Sequence, residues 1–210
     1  MTTVLLTGFE PFAGDATNPS WDAVQLVDVP GVDLVKQLLP CAFGASVTVL
    51  RQAVELHDPD LVIAVGLAGG NEAITPERVA INLDDARIPD NNGRSPVDEP
   101  IVDGGPAAYF TRLPVKAGVT ALQAAGLPAA VSHSAGTFVC NHVFYGLMHL
   151  IATERPSLRG GFVHVPYSTE MAVPDRPALP LPAIAAGLAA FTRACVETSV
   201  DLHVTGGALH

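Results

Sequence analysis

Apolar runs alternate along the chain with stretches in which apolar residues recur every three or four positions. A short continuous apolar run fits a strand covered on both faces, and the wider recurrence fits a helix with one buried side. Residues 3–7 therefore predict a buried strand, followed by a Gly- and Pro-rich loop over residues 8–19. Ser20 is placed to cap a helix over residues 21–27, its hydroxyl accepting from an early helix N–H. A strand over 34–39 comes next. Residues 47–57 then read as a helix with Val47, Leu50, Val54 and His57 on one stripe. Asp58-Pro59-Asp60 ends it, because Pro cannot continue a helix. Strands follow at 61–65 and 79–83. Residues 84–105, rich in Asp, Pro, Gly and Asn, have no period and form a long loop, a length often tied to function. Helices over 115–125, 143–151 and 183–197 alternate with strands over 129–133 and 162–165. Repeated strand–helix alternation predicts an α/β fold, a three-layer α/β/α sandwich around a mostly parallel twisted sheet. With no repeat or linker along the chain, residues 1–210 read as a single domain.

Composition narrows the function. Lys and Arg together number 11 against 21 Asp and Glu, a net charge of −10 at pH 7. Phosphate contacts need clustered cations, so the balance argues against nucleic acid and against anionic membranes as partners. The longest segment without Asp, Glu, Lys or Arg runs over 117–153. Gln123, Pro128, Ser132, His133, Ser134 and Asn141 interrupt it, which makes it a poor membrane span. The start, MTTVLLTGFEPF, lacks the basic head of a signal peptide. Three widely spaced cysteines make a disulfide framework improbable, and a reducing cytoplasm is the expected setting.

Cys140, in SAGTFVCNH, falls where a loop hands over to a helix. Free N–H groups and the dipole at a helix start favour a thiolate and can donate to a developing oxyanion. The bland alternative is a small buried hydrophobe, which is also the expectation for Cys41 and Cys195. A thiol nucleophile needs a base. His164 stands at the end of an apolar strand, just before Pro166, and sites in α/β sheets form at the carboxyl ends of strands. A satisfied core histidine is the competing reading. Glu77 precedes a buried strand, where a carboxylate needs a partner. It is placed to orient an imidazole, or else to pair with Arg78 or Arg87. Arg87 itself stands among several aspartates, as a structural clamp or as a cation for an oxyanion. Phe9 and Phe12 flank glycines after the first strand and either pack on the sheet or line an apolar pocket. His142 and His149 are seven apart with no third ligand at zinc spacing, so no metal is expected.

The segments GFEPFAGDATNPS, GLAGGNEAITPERVAINLDDARIPDNNG, SHSAGTFVCNHVFYGLMH and GFVHVPY occur in an order and spacing that resembles the pyroglutamyl peptidase I family. The resemblance reaches from residue 4 to about residue 170. It implies a cysteine peptidase that removes an N-terminal pyroglutamyl residue from peptides through a thioester acyl-enzyme, without cofactor or metal. It also implies Cys140, His164 and Glu77 as the catalytic set and Arg87 as oxyanion support. Phe9, Phe12, Phe138, Val139 and Ile88 match positions lining the pyroglutamyl pocket, with Leu67 where some members carry Gln. Ala13 replaces the second Gly of the usual GFEPFGG. Cys41 stands where an aliphatic residue is frequent, which raises the prospect of a second thiol near the site. Family members are dimers or tetramers, and few charges with a positive mean hydropathy point the same way. The Pro-rich run over 173–182 and the apolar helix after it are the candidate contact segments. Two other readings remain: a catalytically inactive homologue acting as a binding scaffold, and a nucleoside-phosphorylase-like enzyme, which would need an anion site.

Overall fold

A computed structural model describes residues 1–207. In chain order the elements are β1 (Thr3–Phe9), α1 (Pro19–Leu26), β2 (Asp33–Leu39), α2 (Ala45–His57), β3 (Leu61–Leu67), β4 (Thr75–Pro76), β5 (Val79–Ile81), β6 (Ala108–Phe110), α3 (Val115–Ala124), α4 (Val139–Thr153), β7 (Arg159–Val165), β8 (Tyr167–Ser168), β9 (Ala178–Leu179) and α5 (Leu181–Glu197). Five strands form one sheet in the order β2-β1-β3-β7-β4. β1 pairs in parallel with β2 and β3, and β3 with β7, while the two-residue β4 runs antiparallel on β7. β5–β6 and β8–β9 are separate two-stranded ribbons.

The period of two along the strands divides the core. Val4, Leu6, Leu61, Ile63, Val65, Val163 and Val165 pack with α1, α3 and α5. Leu5, Val62, Ala64 and Phe162 pack with α2 and α4 on the other side. Helices on both faces explain why the strands read as unbroken apolar runs. The result is the three-layer α/β/α sandwich expected from the alternation.

Several local expectations change. The cap of α1 is Asn18, whose side chain accepts from the Ser20 N–H at 3.1 Å, with Pro19 opening the helix. Pro there sacrifices no intrahelical hydrogen bond. The Ser20 hydroxyl instead accepts from the Phe9 N–H at 3.0 Å, tying the helix to the end of β1. His57 is exposed rather than part of the α2 stripe, and Asp58 ends the helix with φ +41°. Residues 129–133 make only isolated bridges, Ile74 to Ala129 and Glu77 to Ser132. The helix expected from residue 143 starts at Val139, four residues sooner, because Asn141 and His142 are buried on polar partners rather than on apolar ones. The 84–105 loop has almost no ladder but is fixed by side chains: the Asp90 carboxylate accepts from the N–H groups of Phe43, Asn92 and Arg94. In α5, Ile184, Leu188, Phe191 and Cys195 are at most 1% exposed. That stripe is consumed within the protomer and offers no subunit contact. Among the described residues no helix is long and apolar enough to cross a membrane.

Candidate active site

The carboxyl ends of β1, β3 and β7 open onto a cavity of about 290 Å³. Phe9, Phe12, Leu67 and Phe138 supply apolar wall, and Cys140, His164 and Glu77 bring a thiol, an imidazole and a carboxylate to it. Phe12 and Phe138 face each other with ring centroids 6.1 Å apart, and Phe43 meets Phe138 edge-on at 5.3 Å from behind.

Cys140 is the second residue of α4, after the N-cap Phe138, which makes no side-chain cap bond. The first N–H to close back into the helix is that of His142, on the Phe138 carbonyl at 3.1 Å. The N–H groups of residues 139–141 precede it and have no intrahelical partner. The sequence reading missed what holds this turn. Asn141 is fully buried, its amide donating to the carbonyls of Ile81 and Leu83 and its oxygen accepting from the Ile81 N–H at 3.0 Å. Opposite the thiol lies Gly66, where a Cβ would fall 2.8 Å from Cys140 Sγ and 2.7 Å from Phe162 Cζ. Only glycine leaves the sulfur its position. Burial pushes the Cys140 thiol above the usual range, with Cys41 and Glu77 adding to the effect.

His164 sits on β7 opposite Gly66 of β3. Its Nδ1 lies 2.7 Å from Glu77 Oε1, with both side chains almost wholly buried. A carboxylate only accepts, so the ring carries a proton on Nδ1, and Nε2 is the nitrogen not engaged by Glu77. The Phe162 ring meets the imidazole edge-on at 4.9 Å. Glu77 is anchored through its N–H on the Phe162 carbonyl and pairs with neither Arg78 nor Arg87. Its Oε2 has no partner among the described residues.

Not every candidate reaches the cavity. Val139 is fully buried in the core behind it. Arg87 and Ile88 are exposed on the 84–105 loop and lie outside the cavity wall. That loop nevertheless abuts the wall, because the Asp85 N–H donates to the Thr137 carbonyl and the Thr137 hydroxyl donates to the Asp85 carbonyl at 2.7 Å. Cys41 does line the cavity, its N–H held by Glu10 Oε1 at 3.0 Å. Burial, then Glu10 and Asp90, push its thiol up to about 12. Ala13 adopts φ +55°, the left-handed region in which the motif's usual Gly is at ease.

Comparison with known proteins bears on what this cavity is. A profile of the family described as pyroglutamyl peptidase matches residues 2–199. The pyrrolidone-carboxylate peptidase of Streptomyces coelicolor is 57% identical over the whole of both chains, and that of Clavibacter michiganensis 56%. The crystal structure of Bacillus amyloliquefaciens pyroglutamyl peptidase I superposes with a TM-score of 0.93 at 49% identity, covering 96% of this chain and all of that one. The pyrrolidone carboxyl peptidase of Thermococcus litoralis gives 0.89 at 36%, covering 94% of each. With sequence and backbone agreeing over nearly the full length, the chain belongs to the pyroglutamyl peptidase family.

Proposed function

We propose that the protein is a cysteine peptidase that removes an N-terminal pyroglutamyl residue from peptides through a thioester acyl-enzyme. The observation that carries this reading is one cavity in which an aromatic slot adjoins a helix-start thiol and a buried His–Glu pair. A pyroglutamyl terminus is a neutral lactam without an ammonium. The slot suits such a ring: no Lys or Arg lines it, and its single carboxylate, Glu77, is already engaged by His164.

In the proposed reaction Cys140 Sγ attacks the carbonyl beside the ring while His164 Nε2 takes the thiol proton. Glu77 holds the imidazole in the required tautomer and stabilises the imidazolium. The N–H groups at the start of α4 receive the oxyanion, and Arg87, on the loop that abuts the wall, is the proposed further support. The tetrahedral adduct collapses, the C–N bond breaks, and the imidazolium gives its proton to the leaving amine. Water then attacks the thioester, losing a proton to His164, and the proton returns to sulfur as free pyroglutamate departs. Every step uses groups of the chain itself, so the reading invokes no cofactor or metal. A phosphorylase-like reading finds no support, since a phosphate site needs cations that the described cavity wall lacks.

The same reading has the chain acting as one domain in the cytoplasm, as a homodimer or homotetramer. Leu56, Val97, Phe110 and Val200 are apolar side chains at least 70% exposed and open to such association, which sedimentation measures directly. The decisive assay is hydrolysis of a pyroglutamyl chromogenic amide, with and without iodoacetamide, with mapping of the alkylated cysteine. Turnover should vanish in Cys140→Ser and on alkylation of Cys140. Full turnover with Cys140 alkylated would overturn the mechanism.

A further inference from the structure

A second buried carboxylate–imidazole pair hangs from the helix that carries Cys140, and the reaction just described does not use it. His142 follows Cys140 by two residues, so its side chain leaves α4 about 200° around the helix from the thiol. Its Nδ1 lies 2.8 Å from Asp84 Oδ2, and its Nε2 accepts from the Gly44 N–H at 2.9 Å. Both ring nitrogens are therefore committed. Because Nε2 must offer a lone pair to Gly44, the proton sits on Nδ1 and points at Asp84. The two side chains are 8% and 2% exposed. Asp84 Oδ1 has no partner among the described residues, so the imidazole is the chief polar contact of a buried carboxylate.

This pair joins three segments that share no ladder: α4, the base of the 84–105 loop, and the 41–44 turn that caps α2. Phe43 is the point of transmission. Its ring meets the His142 imidazole edge-on at 5.4 Å and the Phe138 ring edge-on at 5.3 Å. Phe138 is in turn part of the aromatic slot. The other charged groups nearby are already paired or displaced from the ring. Arg94 lies over the far face of Phe43 and is bonded to Glu99, Arg51 is bonded to Glu154, and His149 is bonded to Tyr109.

We infer that His142, held in its neutral Nδ1–H form by Asp84, is a positioning residue for the substrate slot. It fixes Gly44 and Phe43, and through them the tilt of Phe138 against the lactam ring. The inference rests on the pyroglutamyl-peptidase reading and adds to it a residue that never touches the reacting atoms. It predicts a loss confined to binding. Removing the ring should raise KM while the Cys140–His164 chemistry proceeds.

The test compares His142→Ala, His142→Gln and His142→Asn in the full chain, using the pyroglutamyl amide. Dissociation constants for free pyroglutamate are measured alongside in a Cys140→Ser background. His142→Ala should raise KM and Kd together by about tenfold, the worth of one hydrogen bond, with kcat within about threefold of the parent. Gln places an acceptor near the Nε2 position and restores the Gly44 contact, so its KM should stay within about threefold of the parent. Asn reaches only the Nδ1 position and should resemble Ala. Should the His142 variants not fold, Phe43→Leu leaves the pair intact and should give the same rise in KM. A folded His142→Ala or Phe43→Leu with parental KM, or a loss falling on kcat alone, overturns the role of His142. Absence of turnover in the parent protein is a separate result, and it rejects the peptidase reading itself.

Discussion

Gly66 shows how little the identity of a proposed nucleophile says about what makes room for it. A Cβ there would overlap Cys140 Sγ and Phe162, neither of which can yield without moving the thiol or the core. Gly66→Ala should cost about 1–3 kcal/mol by overpacking and should suppress alkylation of Cys140 by iodoacetamide, as denaturant melts and labelling rates will show. Ala13 presents the opposite case. At φ +55° an L side chain is strained by roughly 1–2 kcal/mol, partly offset by the smaller entropy that Ala loses on folding. Ala13→Gly should therefore raise stability by up to about 1 kcal/mol, read as a higher denaturant midpoint at constant slope.

At the scale of elements, the helices are fastened at their ends by distant side chains. Pro114 cannot cap α3 with a side chain, and the Asp201 carboxylate does so instead, accepting from the N–H groups of Lys116 and Ala117 at 3.0–3.1 Å. Asp201→Ala should cost about 1 kcal/mol, a fall in Tm of roughly 2–4 °C by calorimetry. Glu170 serves α5 similarly through the Leu181 N–H, and backbone hydrogen bonds hold its carboxyl below the usual range. The first turn of α4 is pinned by Asn141 on β5, and the His142 side chain leaves it on the other side to bond Asp84 and Gly44. This is why α4 extends beyond the apolar stripe that its sequence advertises. The stripe marks where a helix packs on the sheet, and it is blind to a turn that buries itself on polar partners.

For the molecule as a whole, three thiols buried in or beside the two cores contribute to its response to alkali, alongside the buried Tyr145 hydroxyl, which is pushed up in the same way. Burial is the largest cause of the upward push at Cys41, Cys140 and Cys195 alike. Below about pH 9, the ordinary thiol value, folded and unfolded chains both keep these protons, and the contribution to stability is complete. Above it the unfolded chain ionises first. The folded chain then holds more protons, and stability falls as pH rises toward the folded value, about 12 for Cys41. Thermal melts from pH 8 to 11 should show Tm declining. Cys195→Ala should flatten that decline relative to its own value at pH 8. An equal slope in parent and variant would show that the Cys195 thiol ionises alike in both states.

The sequence by itself determined the layers of this protein and the family to which it belongs. Apolar runs such as residues 61–65 are written by the demand that both sheet faces be covered. Cys140, His164 and Glu77 stand in motifs long enough to be read directly. The tertiary structure alone decided which groups meet. Arg87 and Ile88 stand in an equally recognisable motif yet lie outside the cavity, because a loop's course depends on the distant backbone that its side chains find, here Phe43 for Asp90 and Thr137 for Asp85. The pairing of Glu77 with His164, 87 residues away, and the space left by Gly66 for sulfur are likewise outcomes of strand register. Local pattern encodes what is buried. Only the closed fold fixes what it is buried against.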